Sequence, residues 1–329
     1  MTHPKTHEQA HRHEQALRRE LGPDVLAALT DNDVVEVMLN TDGRLWLERR
    51  SEGLVEAGTR MEAGQARSLV ATVAGLLGRV VGEHSPILEA ELPIDGSRFE
   101  AIVPPVVKRP VFAIRKRATT VISLERYVAD GIVTPAQARE LRDAVSQRLN
   151  IVVSGGPGSG KTTFVNALLG LVGDSGERLV ILEDTYELRC DAPNHIVLHT
   201  SETVDLRTLV RATLRLRPDR IVVGEVRGAE AHELLKAWNT GNPGGCATVH
   251  ANSAVDALVR LDQLAQEAGV PSQAPLVARA VHRVAHLERT ADGRRLRELV
   301  AVRCYHPDRG FEVEALVDDG SAGSEETGQ

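Results

Sequence analysis

The sequence predicts an α/β protein with two domains: a C-terminal domain built on a mostly parallel sheet with helices on its faces, and a smaller N-terminal α+β domain. The second half of the chain alternates short apolar strand patterns with helical patterns, which is typical of parallel sheets. The first half contains strand patterns that are paired through turn residues. A glycine-rich phosphate-loop motif follows the first strand of the second half.

The length of 329 residues is enough for two domains and short tails. Paired strand patterns at 34–40 with 44–48, and at 87–92 with 97–103, place the α+β domain in the first third of the chain. Strand patterns at 151–153, 179–182, 195–199, 221–223 and 247–249 define the parallel sheet, and a strand pair flanks Asp292-Gly293. We predict a polar, disordered tail at 1–20, the α+β domain at 21–118, a linker at 119–133, the P-loop domain at 134–310 and an acidic, disordered tail at 311–329.

Composition excludes several classes of protein. A net charge of −7 with only 3% aromatic residues argues against a protein that coats nucleic acid, and direct sequence-specific nucleic-acid binding is not expected. Three cysteines, none in a CxxC pair, predict a reduced, cytoplasmic chain without a four-cysteine zinc module. The polar N-terminus lacks the apolar region of a signal peptide, and the apolar run at 68–78 is too short to cross a bilayer. Membrane association is therefore expected to be peripheral or through partners.

The phosphate loop is the most specific signal in the sequence. Strand 151–153 precedes it and an apolar helix pattern follows it, which is the context that distinguishes a nucleotide site from a chance glycine run. Backbone N–H groups and the helix N-terminus bind phosphates, the lysine reaches the β- and γ-phosphates, and the first threonine supplies a hydroxyl to Mg²⁺. We predict ATP and Mg²⁺ as cofactors, with ATP bound by Gly155, Gly156, Pro157, Gly158, Ser159, Gly160, Lys161, Thr162 and Thr163.

Two apolar strand patterns end in acidic residues that a P-loop enzyme needs. Glu225 follows one of them and is a candidate general base, although Gly224 stands where an aspartate is usual. Glu183 and Asp184 follow the other, and we assign Glu183 to Mg²⁺ or water and Asp184 to a supporting position at the metal. The spacing leaves open which acid abstracts the proton.

Two further residues are candidates for catalysis. His250 ends the strand pattern at 247–249 after a glycine-rich turn, a position that suits a sensor of the γ-phosphate. Arg227 lies just after Glu225 and is expected either to stabilise the acidic residues or to contact the nucleotide.

Several segments in order resemble the type IV secretion system traffic ATPases, most closely the TrbB-type conjugal transfer ATPases. The resemblance covers roughly residues 22–304. The segments are EVMLNTDGRLWLER, GSRFEAIVPPVV with FAIRKRA, NIVVSGGPGSGKTT, ILEDTYEL, LVRATLRLRPDRIVVGEVRG and KAWNTGNPGGCATVHANSA.

This resemblance implies a PAS-like N-terminal domain, a RecA-like ATPase domain and a homohexameric ring. It places the ring on the cytoplasmic face of the inner membrane with other secretion or conjugation subunits, where it powers pilus assembly or the transfer of DNA or protein. It also implies that Arg98 and Arg115 reach the phosphates. The chain departs from the family pattern at Asn242, where similar proteins carry histidine.

Three alternatives remain at this point. The first is a type II secretion or type IV pilus ATPase, the second is a nucleic-acid translocase, and the third is a nucleotide-gated scaffold with negligible turnover. Intact Lys161, Thr162, Glu183 and Glu225 argue against the scaffold.

Overall fold

The computed structural model describes residues 4–117, 121–173, 175–201, 203–290 and 293–317, with side chains from residue 13 onward. The chain forms two compact units, residues 1–117 and 118–329. Among the described residues, no helix combines the length and the apolar character that crossing a bilayer requires.

The described residues of the N-terminal unit form one antiparallel sheet and two helices. The strand order in the sheet is β3-β2-β1-β6-β5-β4. The elements are α1 (Pro4–Thr30), β1 (Val34–Leu39), β2 (Arg44–Arg49), β3 (Gly53–Arg60), α2 (Ala63–Leu76), β4 (Ile87–Glu91), β5 (Arg98–Ile102) and β6 (Val111–Arg115).

The predicted tail at 1–20 differs from the structure. Helix α1 begins at Pro4 and kinks at Gly22, whose φ of 76° is in the region that favours glycine. Leu17 is fully buried and packs in the same core as Leu69 of α2 and Phe99 of β5. Because Leu17 packs in this core, the segment is part of the N-terminal unit. The prediction missed this because charged residues surround Leu17 in the sequence and hide the apolar face of the helix.

The described residues of the C-terminal unit form an eight-stranded sheet with seven helices. The elements are α3 (Leu124–Ala129), α4 (Pro135–Ser146), β7 (Ile151–Gly155), α5 (Lys161–Gly170), β8 (Leu179–Glu183), β9 (His195–His199), α6 (Leu206–Thr213), β10 (Arg220–Val223), α7 (Glu230–Asn239), β11 (Cys246–Val249), α8 (Ala254–Gln266), α9 (Ala274–Ala280), β12 (Arg283–Thr290), β13 (Gly293–His306) and β14 (Gly310–Ala315).

This sheet confirms the predicted α/β architecture. Its order is β14-β13-β12-β7-β11-β10-β8-β9, parallel from β12 to β9 and antiparallel at β13 and β14. Both faces are buried: Ile151 and Val153 pack in one core with α4 and α5, whereas Val152 packs in a second core with α7 and α8. Because the central strands are parallel, β7, β8, β10 and β11 end at the same edge of the sheet, and the predicted site residues of this unit follow those strand ends.

The predicted boundaries of this unit were too narrow. Residues 124–129 form helix α3 inside the segment expected as a linker, and Tyr127 stacks edge-on against Phe164 with ring centroids 5.3 Å apart. Strand β14 occupies the start of the segment expected as a tail. Residues 318–329 lie outside the described residues.

Candidate nucleotide site

The phosphate loop connects β7 to α5 through a turn that requires glycine. Gly155 has a φ of 152°, and a Cβ atom there would lie 2.3 Å from the carbonyl oxygen of Leu287 and 2.6 Å from Oγ of Ser159. Gly160 caps α5 with a φ of 93°. The backbone therefore turns within a space that no side chain could share, and it presents the N-terminus of α5 at the edge of the sheet.

The residues of the loop are compatible with a bound triphosphate. Ser159 is 2% exposed, and its hydroxyl makes no hydrogen bond to any residue that the structure describes. Thr162 and Thr163 are half-buried in the first turn of α5. Buried polar groups are nearly always paired. An acceptor such as a phosphate oxygen would pair the Ser159 hydroxyl.

Lys161 is the first residue of α5, and its ammonium group is turned back over the loop. The side chain is 7% exposed. Nζ donates hydrogen bonds to the carbonyl oxygens of Gly155 and Gly156, both at 3.0 Å, and lies 3.2 Å from Nδ1 of His250. The positive charge is therefore held above the phosphate loop by three acceptors.

His250 links Lys161 to the acidic residues. Its other ring nitrogen, Nε2, lies 2.9 Å from Oε1 of Glu225. Oε2 of Glu225 accepts a 2.6 Å hydrogen bond from Nη2 of Arg227, and Nη1 of Arg227 lies 3.7 Å from Asp184. The structure thus joins five predicted site residues in one network: Lys161, His250, Glu225, Arg227 and Asp184.

The partners of His250 determine its tautomer. A lysine ammonium has only hydrogens to donate and a carboxylate can only accept. Nδ1 is therefore the unprotonated acceptor facing Lys161, and Nε2–H donates to Glu225. Burial and the positive charge of Lys161 lower the pKa of His250, against the opposing effect of Glu225, so the neutral ring is the stable form at pH 7.

Glu225 is ionised at neutral pH. Burial alone would raise the pKa of this carboxyl group, but the hydrogen bond and charge of Arg227, with the charge of Lys161, hold it below its ordinary value. The backbone around Arg227 is itself fixed, because Glu230 accepts hydrogen bonds from the N–H groups of Arg227 and Gly228 at 2.6 and 2.8 Å.

Glu183 is placed differently from Glu225. It is 1% exposed, and its Oε1 accepts hydrogen bonds from the N–H groups of Glu187 and Leu188 at 2.9 and 2.6 Å. Its Oε2 lies 3.6 Å from Nε2 of His199. A Cβ atom on Gly224 would lie 3.2 Å from Cγ of Glu183. The glycine in place of the usual aspartate therefore makes room for Glu183, whose carboxylate anchors the loop after β8.

Two residues near the phosphate loop were not predicted from the sequence. Arg294, on β13, donates a 3.2 Å hydrogen bond from Nε to the carbonyl oxygen of Gly158. His286, on β12, lies 3.0 Å from Oγ of Ser154, and both residues are buried. The sequence predicted the strand pair, but no pattern in it indicates that β12 lies beside β7. The contacts of Arg294 and His286 could therefore not be predicted.

Arg98 and Arg115 occupy neighbouring strands of the N-terminal unit. They are directly opposite each other in the pairing of β5 with β6. Glu36 lies opposite Arg115 on the other side, and Glu91 lies opposite Arg98. Like charges placed opposite each other destabilise a sheet, and the flanking carboxylates offset that cost.

Comparisons with known proteins identify the family of this chain. The type II/IV secretion system protein family matches residues 20–310. The probable conjugal transfer protein TrbB of Sinorhizobium fredii is 48% identical over 301 residues, which cover 91% of this chain and 92% of that protein. The conjugal transfer protein TrbB of Rhizobium radiobacter is 47% identical over 291 residues, covering 88% and 90%.

A solved structure has the same fold. The Legionella pneumophila ATPase DotB superposes with a TM-score of 0.61 at 19% identity, over 84% of this chain and 79% of that one. The family match and the two TrbB relatives confirm the predicted resemblance to the TrbB-type secretion ATPases, and the chain belongs to the type II/IV secretion system protein family.

Proposed function

We propose that this protein is a Mg²⁺-dependent ATPase that works as a homohexameric motor of a conjugative type IV secretion system. The observation that carries the proposal is the contact of Lys161 with His250 and of His250 with Glu225, at 3.2 and 2.9 Å. This chain of contacts connects the group that binds the terminal phosphates to a carboxylate able to activate water. Nucleotide binding alone does not require the contact between His250 and Glu225.

ATP would be bound by the loop at 155–160 and the first turn of α5. The N–H groups of that turn and the partial positive charge of the helix N-terminus attract phosphate. Lys161 would exchange its contacts with the loop carbonyls for the β- and γ-phosphates. Arg294 lies beside Gly158 and supplies a further positive charge near the loop.

Thr162 and Asp184 are the residues that we propose to hold Mg²⁺. Asp184 is only paired weakly, with Thr200 Oγ1 at 3.2 Å and Arg227 at 3.7 Å, so its carboxylate can accept a new partner. Mg²⁺ favours oxygen ligands and neutralises charge on the phosphates. Glu183 is proposed to orient a water bound to Mg²⁺ through Oε2, which is buried and has no hydrogen-bond partner among the described residues, while Oε1 accepts from two backbone N–H groups.

Glu225 is the proposed general base and His250 the proposed sensor of the γ-phosphate. The ionised carboxylate of Glu225 can take a proton from water. His250 touches both the lysine and the base, so a change at the phosphate alters its hydrogen bonds. Arg227 balances the negative charges of Glu225 and Asp184, which lie 2.6 and 3.7 Å from its guanidinium nitrogens.

The proposed assembly rests on the resemblance to secretion ATPases and on the arginine pair of the N-terminal unit. Adjacent guanidinium groups on β5 and β6 suit an anion, and we propose that Arg98 and Arg115 contact nucleotide phosphates in the assembled ring. The ring would act at the cytoplasmic face of the inner membrane through other subunits of the secretion machinery.

The assembly can be tested by mass. Light scattering of the full chain with ATP and Mg²⁺ is expected to give six copies of the 35.6-kDa subunit, with six-fold rings in negative stain. The double variant Arg98→Ala, Arg115→Ala is expected to lower turnover while leaving the folded N-terminal unit intact by circular dichroism. A protein that stays monomeric with ATP and Mg²⁺ at micromolar concentration would overturn the ring.

The role of His250 predicts a pH dependence. The neutral ring accepts from Lys161, and protonation would remove that acceptor and place a second positive charge beside the ammonium. Since the pKa of His250 is lowered from 6.5, kcat/KM for ATP is expected to fall as the pH drops through a value below 6.5. In His250→Asn this acidic limb should disappear from the residual activity.

His195→Asn is the matched control, because His195 lies at the far edge of the sheet on β9. Its profile should follow the unmodified protein. If kcat/KM of His250→Asn still fell at acidic pH, the titration would belong to another group, and His250 would not be the sensor.

A further inference from the structure

The hairpin of β13 and β14 carries a cluster of three metal-ligating side chains outside the nucleotide site. Sγ of Cys304 lies 3.1 Å from Nε2 of His306 and 3.2 Å from Oε2 of Glu312. His306 Nε2 and Glu312 Oε2 are 3.1 Å apart. The three potential ligand atoms therefore form a nearly equilateral triangle at the surface.

The strand register produces this convergence. Cys304 and Glu312 are directly opposite each other in the antiparallel pairing of β13 with β14. His306 is two residues further along β13, and alternate residues of a strand share a face. A register shift between Val302 and Cys304 precedes the cluster on β13. Tyr305 and Phe311, which alternate with the cluster, stack on each other.

The donor set matches one class of ligand. A thiolate, an imidazole and a carboxylate are the three side chains that bind Zn²⁺, usually with tetrahedral geometry. Ca²⁺ and Mg²⁺ favour oxygen ligands and would leave the sulfur and nitrogen unused. His306 and Glu312 have exposed side chains, so an ion can enter from solvent and a fourth position stays open for water.

We propose that Cys304, His306 and Glu312 form a three-ligand Zn²⁺ site that fastens β14 to β13. Binding replaces the thiol proton: Zn²⁺ joins the sulfur, the imidazole nitrogen and the carboxylate oxygen, and one proton leaves to solvent. Sγ of Cys304 lies 3.2 Å from Oε2 of Glu312, where a thiolate and a carboxylate would repel each other. A divalent cation between the two removes that repulsion.

The consequence is stability at the edge of the sheet. Within the described part of the chain, β14 is the last strand of the eight-stranded sheet and pairs only with β13. Edge strands expose unpaired backbone groups to other chains. A zinc ion bound across the hairpin links the strand to its neighbour through side chains and adds to the backbone pairing.

Cobalt(II) is the probe for the test, because a cobalt–thiolate bond gives a near-ultraviolet charge-transfer band that histidine and carboxylate alone do not. The full chain, stripped by chelator, is titrated with Co²⁺ and then with Zn²⁺. The protein used carries glutamine at four N-terminal histidines, which removes competing imidazoles. Those positions are His3, His7, His11 and His13.

The expected result is one equivalent of Co²⁺ with a charge-transfer band, displaced by one equivalent of Zn²⁺. Cys304→Ser should abolish the band, and His306→Ala should weaken Zn²⁺ binding by at least about tenfold, since even residues behind a metal ligand cost that much. Cys190→Ser is the matched control and should keep the band. Zn²⁺ should also raise the Tm of the protein in which Cys304, His306 and Glu312 are intact, but not the Tm of Cys304→Ser.

Two results would overturn the site: no charge-transfer band in the four-glutamine protein with Cys304, His306 and Glu312 intact, or a band that survives Cys304→Ser. Both readouts are independent of ATP hydrolysis, so they do not depend on the proposed motor function. Circular dichroism of each variant verifies that the exposed substitutions leave the fold intact.

Discussion

Lys161→Ala is expected to abolish phosphate release. The side chain is almost fully buried, and its ammonium group is the only cation in the Lys161–His250–Glu225 chain of contacts. Alanine removes the charge that would neutralise the β- and γ-phosphates in the transition state. Steady-state phosphate release by the full chain with ATP and Mg²⁺ measures the effect.

A matched control distinguishes this loss from general damage. Lys236 on α7 is an exposed lysine paired only weakly with Glu233, at 3.6 Å, and Lys236→Ala should keep full turnover. The Tm of Lys161→Ala should stay close to that of the unmodified protein, because the loop carbonyls it frees can bind water. Turnover at the unmodified rate in Lys161→Ala would refute the phosphate-loop assignment and the ATPase function with it.

The sheet was predictable because burial on two faces leaves a simple pattern. Ile151, Val152 and Val153 are all apolar, and the structure places them alternately in the two cores of the unit. Domain boundaries were less predictable. Helix α3 is six residues long, and its contacts to the core come mainly from Leu124 and Tyr127, which is too short a pattern to identify a helix.

The candidate site also has parts that the sequence predicts and parts that depend on the arrangement of the strands. The phosphate loop has a fixed spacing in the chain, so the sequence identified it directly. Glu225 and His250 were predicted from their positions after strands, but their mutual distance depends on the order of β10 and β11 in the sheet. Arg294 and the Cys304 cluster depend on strand register, which side-chain patterns alone do not determine.

Glu225→Gln is expected to leave ATP binding intact while turnover falls by about 10²-fold or more. Glutamine keeps the shape of the side chain but cannot accept a proton at neutral pH. Because the pKa of Glu225 lies below its ordinary value of 4.5, the carboxylate is ionised throughout the range from pH 6 to pH 9, and the loss should be constant across it. Binding is measured with a fluorescent ATP analogue and turnover by phosphate release.

Glu125→Gln is the control that separates charge loss from loss of the base. Glu125 is also paired with an arginine, Arg142, at 2.9 Å, but it is exposed on α3 and outside the network of Lys161. Its removal should change turnover by less than about twofold, as surface ion pairs contribute little. If Glu225→Gln lost binding and turnover together, Glu225 would be a structural partner of His250 and Arg227, and Glu183 or Asp184 would become the candidate base. Unchanged turnover would exclude Glu225 from the chemical step. A loss of turnover with ATP binding intact would identify Glu225 as the proton acceptor, and His250 would then connect that acceptor to Lys161.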